Sequence, residues 1–64
     1  MYELLVFYGD DALPRERHAV EHASDVLACV PKVLEAHQGC EHIAVMMGSI
    51  RLFAVDCKGN QLPR

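Results

Sequence analysis

The sequence predicts a small α+β domain of element order ββαββ, in which four mainly antiparallel strands form a sheet and one helix packs on one face. Three observations predict this fold. Residues 2–8 are rich in aromatic and aliphatic side chains, residues 25–38 carry apolar side chains at helical spacing, and residues 39–57 contain two β-rich runs joined by Gly48-Ser49. At 64 residues, the whole chain is expected to form a single domain.

The first strand is expected over residues 2–8 and is ended by the Gly-Asp-Asp sequence of residues 9–11. Residues 15–22 are more ambiguous. As a strand they complete a first hairpin, whereas as a helix beginning at about residue 14 they give the alternative order βαββ. Ser24-Asp25 is a helix N-cap signal that directly precedes the best amphipathic stretch, and this favours the strand.

Residues 25–38 are expected to form the helix. Gly39 is well placed to end it in a left-handed conformation, and Pro31 should kink it or begin a second helix. The apolar stripe of this helix consists of Val26, Leu27, Val30, Val33, Leu34 and His37.

The closing hairpin has a predicted register, because Gly48 occupies the first central position that a type II′ turn requires. Met47 then pairs with Ile50, and counting outward places Cys40 directly opposite Cys57. One face is expected to carry Ile43, Val45, Met47, Ile50, Leu52 and Ala54. The other face is expected to carry His42, Ala44, Met46, Arg51, Phe53 and Val55. The last residues, 61–64, are expected to form a loose tail.

The apolar content predicts self-association. Hydrophobic residues make up 52% of the chain, and one helix can cover only one face of a four-stranded sheet. A small domain with two apolar sheet faces is expected to cover the second face with another copy, as a homodimer or a higher oligomer. The predicted interface residues are Ala44, Met46, Arg51, Phe53 and Val55.

The charge pattern argues against nucleic-acid binding, because the net charge is −3 and the six basic residues are scattered. The sequence shows no signal-peptide pattern and no apolar run long enough to cross a membrane. An odd number of cysteines, three, is more typical of a reducing cytoplasm than of a disulfide framework. A cytoplasmic location is therefore expected.

Cys40 and Cys57 suggest a metal site, because the predicted register makes them neighbours. His42 shares a face with Cys40, and His37 lies on the last helical turn just before it. A set of two cysteines and two histidines can bind zinc tetrahedrally or serve as a thiol-redox module. The favoured interpretation is nevertheless that the two thiols are reduced and lie at the end of the hairpin, and a disulfide between them is the remaining alternative.

A second pattern, His18-Ala-Val-Glu21-His22, matches the H-x-x-E-H signature of inverted zinc peptidases. On a helix, His18 and His22 could share a metal. On a strand they lie about 13 Å apart and cannot. The match is interpreted as chance.

The leading expectation is therefore a non-enzymatic domain that self-associates through an apolar sheet face or edge. The alternative is a zinc-binding or thiol-redox module, and a third hypothesis is an enzyme whose site forms only between subunits. The sequence names no substrate and no small-molecule ligand.

Overall fold

The computed structural model describes residues 1–9 and 11–62. The elements are β1 (Tyr2–Phe7), β2 (Glu16–Val20), α1 (Ala23–Ala36), β3 (His42–Met47) and β4 (Ile50–Asp56). The strands form one antiparallel sheet in the order β2-β1-β3-β4. This confirms the predicted ββαββ order. The alternative with a helix from about residue 14 is wrong, because β2 pairs along its length with β1.

The core lies between α1 and one face of the sheet. Leu4 and Val6 of β1 and Ile43 and Val45 of β3 are fully buried. The helix covers them with three buried valines, which are Val26, Val30 and Val33. These three lie on the stripe that the apolar spacing predicted, since side chains three and four residues apart share one side of a helix.

The helix ends differ from the prediction in detail. α1 begins at Ala23 and runs without a break through Pro31, whose exposed ring removes one backbone donor. At the other end, Gly39 does not adopt a positive φ. The left-handed cap is not needed, because the His37 N–H donates to the carbonyls of Val33 and Leu34 and the Cys40 N–H donates to the carbonyl of His37.

The predicted turn between β3 and β4 is present. Gly48 has φ +63°, and Ser49 does not have a positive φ, which agrees with a type II′ turn. Met47 pairs with Ile50 and Met46 pairs with Arg51, as predicted.

The register beyond these two pairs is wrong. Val45 pairs with Phe53 instead of Leu52, because a β-bulge in β4 inserts one residue. The shift places Ala44 opposite Ala54, and Cys40 is no longer directly opposite Cys57. The bulge turns Phe53 and Val55 toward α1, and it sends the small Ala54 to the opposite face.

The face of the sheet opposite α1 is called the open face from here on. Its side chains alternate with those of the core along each strand. They include Leu5 and Phe7 from β1, Arg17 from β2, Ala44 and Met46 from β3, and Arg51 and Ala54 from β4.

The chain after β4 turns back along that strand. Asp56 accepts hydrogen bonds from the backbone N–H groups of Lys58 and Asn60, both at 2.9 Å. Gln61 then forms a bridge with Val55, and the Leu62 N–H donates to the carbonyl of Ala54. Part of the predicted loose tail is thus bound to β4. Residues 63–64 of that tail, and Asp10 of the predicted strand end, lie outside the described residues.

No helix in residues 1–9 and 11–62 is long and apolar enough to cross a membrane.

We expect the Gly48→Ala substitution to destabilise the fold by about 1–2 kcal/mol, because a side chain at positive φ is strained. No neighbouring atom lies within 4 Å of the added Cβ, so the backbone alone causes the loss. Gly39→Ala is the matched control, since the nearest atom is an ordinary 3.8 Å contact with Tyr8 and φ is not positive. Thermal unfolding of both variants measures the difference, and equal melting temperatures would contradict this account of the turn.

We expect Asp56→Ala to lower the melting temperature at neutral pH and to lower it by a smaller amount in acid. The N–H groups of Asn60 and Lys58 hold the pKa of Asp56 below its ordinary value of 3.8. The stabilisation is therefore complete above the ordinary pKa and is lost as the pH falls through the lowered pKa. Thermal melts from pH 7 to pH 2 should show the wild type and the variant converging in acid. The exposed-carboxylate control Glu21→Ala should show no such convergence.

Candidate functional site

Three side chains that can ligate a metal ion converge where β2 meets the end of α1. Glu16, His18 and His37 each offer one ligand atom, and these atoms all lie within 4.8 Å of one another. Within residues 1–9 and 11–62, no other group of three or more His, Cys, Asp or Glu residues brings its ligand atoms this close together. It is called the His–Glu cluster below.

The sheet register explains how β2 contributes two members. Glu16 pairs with Val6 and His18 pairs with Leu4, and both β1 partners are fully buried under the helix. Side chains two residues apart lie on the same face of a strand, so Glu16 and His18 both point to the helix side. His37 follows the last residue of α1 as its C-cap.

His37 is held by a hydrogen bond at each ring nitrogen. Its Nδ1 lies 2.7 Å from the hydroxyl of Tyr8, and its Nε2 contacts the carboxylate of Glu16. The side chain is only 14% exposed. In the metal-free protein, Nε2–H can donate to Glu16 while the Tyr8 hydroxyl donates to Nδ1. A tyrosine hydroxyl also accepts hydrogen bonds, so Nδ1–H could donate to Tyr8 in the opposite tautomer. That tautomer would leave an unprotonated Nε2 against the Glu16 carboxylate, which only accepts, so the contact with Glu16 favours the Nε2–H form.

His18 supplies the unusual feature of the cluster. The side chain is 36% exposed, but its Nε2 atom is buried and has no hydrogen-bond partner. The nearest carboxylate oxygen, on Glu16, is 3.9 Å away. The ring packs edge to face against the ring of His37, with centroids 6.0 Å apart. A buried ring nitrogen without a partner costs free energy, and a ligand bonded to this atom would remove that cost.

Tyr8 is itself fixed in place. The guanidinium of Arg15 lies over its ring, 4.3 Å from the centroid. Arg15 also pairs with Asp11 at 2.9 Å. The edge of the Tyr8 ring meets His37, with centroids 5.9 Å apart. These contacts restrict the orientation of the hydroxyl that bonds His37.

The metal ligands predicted from the sequence separate in the structure. His37 belongs to the His–Glu cluster, whereas His42 stacks on Phe7, with ring centroids 4.6 Å apart and planes inclined by 10°. Cys40 is buried in the core, and Cys57 is exposed just after β4. Both are free thiols.

Cys40 and Cys57 remain close enough to interact electrostatically. Burial raises the pKa of the Cys40 thiol above its ordinary value of 9.0, and the nearby Cys57 raises it further. Cys40 is therefore a neutral, packed thiol at neutral pH, which makes it a poor nucleophile.

Glu16 was not predicted as a ligand, and His18 was predicted to belong only to a chance motif. The spacing Glu16-x-His18 does place two ligands on one face of a strand. The sequence could not reveal that His37, 19 residues beyond His18, would return to the same place. His22, the other histidine of the H-x-x-E-H match, is exposed at the N-cap of α1.

The residues of the predicted interface also divide between two surfaces. Phe53 and Val55 pack against the core on the helix side, whereas Ala44, Met46 and Arg51 lie on the open face. The large hydrophobic side chains that are strongly exposed in the described residues are Met1, Leu13, Leu27, Met47 and Ile50.

Three of these exposed side chains lie away from the open face, because Leu27 belongs to α1 and Met47 and Ile50 project to the helix side of the sheet. On the open face, the ring of Phe7 stacks on that of His42. Glu3 forms an ion pair with Arg17, with the charged atoms 3.7 Å apart.

Comparison with protein-family models, with curated proteins and with solved structures yields no match. The site is therefore interpreted from its own geometry.

We expect thiol-modifying reagents to label Cys57 first and Cys40 last in the folded protein. Cys57 is exposed, whereas Cys40 is buried and has a raised pKa. Timed alkylation followed by peptide mass spectrometry measures the order. All three thiols should react together in denaturant, which is the control. Rapid native labelling of Cys40 would contradict the buried, neutral thiol.

Proposed function

We propose that this protein binds one divalent transition-metal ion through Glu16, His18 and His37. The observation that carries the proposal is the buried His18 Nε2, which has no hydrogen-bond partner and faces two other ligand-type atoms. A metal ion would satisfy this nitrogen and would replace the contact between Glu16 and His37.

The ligand chemistry supports this assignment. Two imidazoles and one carboxylate are a known zinc-binding set, and they leave one tetrahedral position for water or another ligand. The same set, with more open positions, suits non-haem iron(II). Metal–ligand bonds of about 2.0–2.2 Å imply ligand atoms about 3.4 Å apart in a tetrahedron. The His18–Glu16 separation of 3.9 Å needs only a small rotation of either side chain.

Tyr8 supplies the supporting contact that a metal-bound histidine usually has. When Nε2 of His37 ligates the ion, its Nδ1–H donates to the Tyr8 hydroxyl, which lies 2.7 Å away. This hydrogen bond would fix the tautomer and the ring orientation. Tyr8 is therefore a positioning residue in this proposal and does not touch the ion.

The site would also join two parts of the fold. β2 is an edge strand of the sheet and contributes Glu16 and His18, while His37 lies at the end of α1. An ion bound only by the folded chain would stabilise the attachment of this edge to the helix. We place this activity in a reducing compartment such as the cytoplasm, because the three cysteines are free thiols.

A hydrogen-bonded cluster with a purely structural role is the competing explanation. Tyr8, His37 and Glu16 already satisfy one another, and they would not need His18. Substitution of His18 therefore separates the two explanations, since it removes a ligand without removing a hydrogen bond.

We expect the chelator-treated protein to bind Zn²⁺ with 1:1 stoichiometry in isothermal titration calorimetry. His18→Ala should abolish tight binding, and Tyr8→Phe should weaken it by about 10–100-fold because the orienting contact is lost. With Co²⁺ as the probe, absorption should indicate nitrogen and oxygen ligands without a thiolate charge-transfer band.

Two matched variants control for other ligands. His22→Ala removes an exposed histidine outside the cluster, and Cys57→Ser removes the exposed thiol of the site predicted from the sequence. Both should bind Zn²⁺ as the wild type does. The proposal is overturned if His18→Ala retains wild-type affinity, if the wild type does not bind, or if Cys57→Ser abolishes binding.

Saturating Zn²⁺ should also stabilise the fold. At a free concentration 100 times the Kd, binding adds about 2.7 kcal/mol. For a domain of this size this corresponds to a rise in melting temperature of roughly 10–20 °C. Differential scanning calorimetry of wild type and His18→Ala, with and without Zn²⁺, measures the effect, which should be absent in the variant.

A further inference from the structure

A second surface stands apart from the His–Glu cluster. Between α1 and β4 lies a recess of about 200 Å³ whose walls include Val26, Leu27, Leu52 and Phe53. It is called the α1–β4 hollow below. None of the residues that line it is charged.

The exposed apolar side chains concentrate around this hollow. Leu27, in its wall, is 71% exposed. Met47 and Ile50, which are 41% and 58% exposed, pair with each other in the hairpin. Met47 also pairs with Tyr2, another lining residue, so the hairpin residues adjoin the hollow. Contiguous apolar surface of this kind marks an interaction site.

The hollow has a structural cause. α1 packs on β1 and β2, so it covers the side of the sheet away from β4. The bulge in β4 turns both Leu52 and Phe53 toward the helix side, where they pack only partly against the core. The helix therefore leaves Leu52 and Phe53 only partly covered, although Val55 further along β4 is buried.

We propose that the α1–β4 hollow is the interface of a twofold-symmetric homodimer, with Leu27 of each copy inserted into the hollow of the other. The surface offers a protruding leucine beside a recess, and a twofold contact requires such self-complementarity. An apolar cavity of about 150 Å³ admits a benzene molecule, so a hollow of about 200 Å³ can accept a leucine side chain.

Charge supports a second copy as the occupant. Each chain carries a net charge of −3, so two identical chains repel unless their contact avoids acidic side chains. The hollow meets this condition because its lining is uncharged.

The available surface extends beyond the hollow. A neighbouring recess shares Leu27 and Phe53 with it and continues along α1 past Val30 and Leu34, with the basic Lys58 also in its lining. A small specific interface needs about 600 Å² from each partner, which is roughly a seventh of the 4362 Å² accessible surface of this chain. The two recesses together run along the 14-residue helix, a length of about 21 Å.

This dimer keeps the self-association predicted from the sequence but moves it to another surface. The open face offers Ala44, Met46 and Arg51, whereas the strongly exposed Leu27, Met47 and Ile50 lie on the helix side. Phe53, which was predicted on that face, contributes to the hollow instead.

Sedimentation equilibrium with EDTA present tests the dimer independently of metal binding. The wild type should approach twice its 7.2 kDa mass. Leu27→Asp should raise the dimer dissociation constant at least tenfold, because it places a carboxylate in each hollow. Leu27 is exposed, so the variant should keep the wild-type circular dichroism spectrum.

Two exposed controls complete the design. Leu13→Asp changes a leucine that does not line the hollow, and Arg51→Glu changes a charged residue of the open face; both should leave the dissociation constant unchanged. The proposal is overturned if the wild type is a monomer at about 100 μM, a concentration on the order of a weak specific Kd. That result would assign the hollow to a different partner. A dimer weakened by Arg51→Glu but not by Leu27→Asp would also overturn it, in favour of the open face.

Discussion

The β-bulge in β4 determines which side chains the helix can cover. Without the extra residue at Leu52, the alternation from the turn would put Ala54 under α1 and would leave Phe53 and Val55 on the open face. With it, Val55 is buried in the core and Phe53 packs beside it. The bulge therefore assigns the larger apolar side chains of β4 to the helix side, and the core and the α1–β4 hollow both follow from that assignment.

The position of α1 divides the helix side of the sheet into two different environments. Toward β2, the end of the helix meets Glu16 and His18, and the surface is polar. Toward β4, the first half of the helix borders Leu52 and Phe53, and the surface is apolar. One short helix cannot cover four strands. On the β2 side, an imidazole nitrogen is left without a hydrogen-bond partner, and on the β4 side, an apolar recess is left uncovered.

The sequence predicted the order of elements because the signals for them are local. The Gly48-Ser49 turn, the apolar spacing of Val26, Val30 and Val33, and the aromatic run of β1 each act within a few residues. The bulge has no such signal, since Leu52 and Phe53 suit either face of a strand. The His–Glu cluster depends on tertiary structure, because His37 approaches β2 only after the hairpin and the helix have packed. The sequence therefore placed His37 among the candidate ligands, but with neighbours from which the structure separates it.

The His18 nitrogen has particular weight in so small a domain. A buried polar atom without a partner costs about 1–3 kcal/mol, while the total stability of a typical domain is only about 5–15 kcal/mol. A more exposed orientation or a different residue at this edge position would avoid the cost, because β2 is otherwise largely exposed. The ring instead lies against His37 and beside the Glu16 carboxylate. This is the arrangement that a shared metal ion would stabilise.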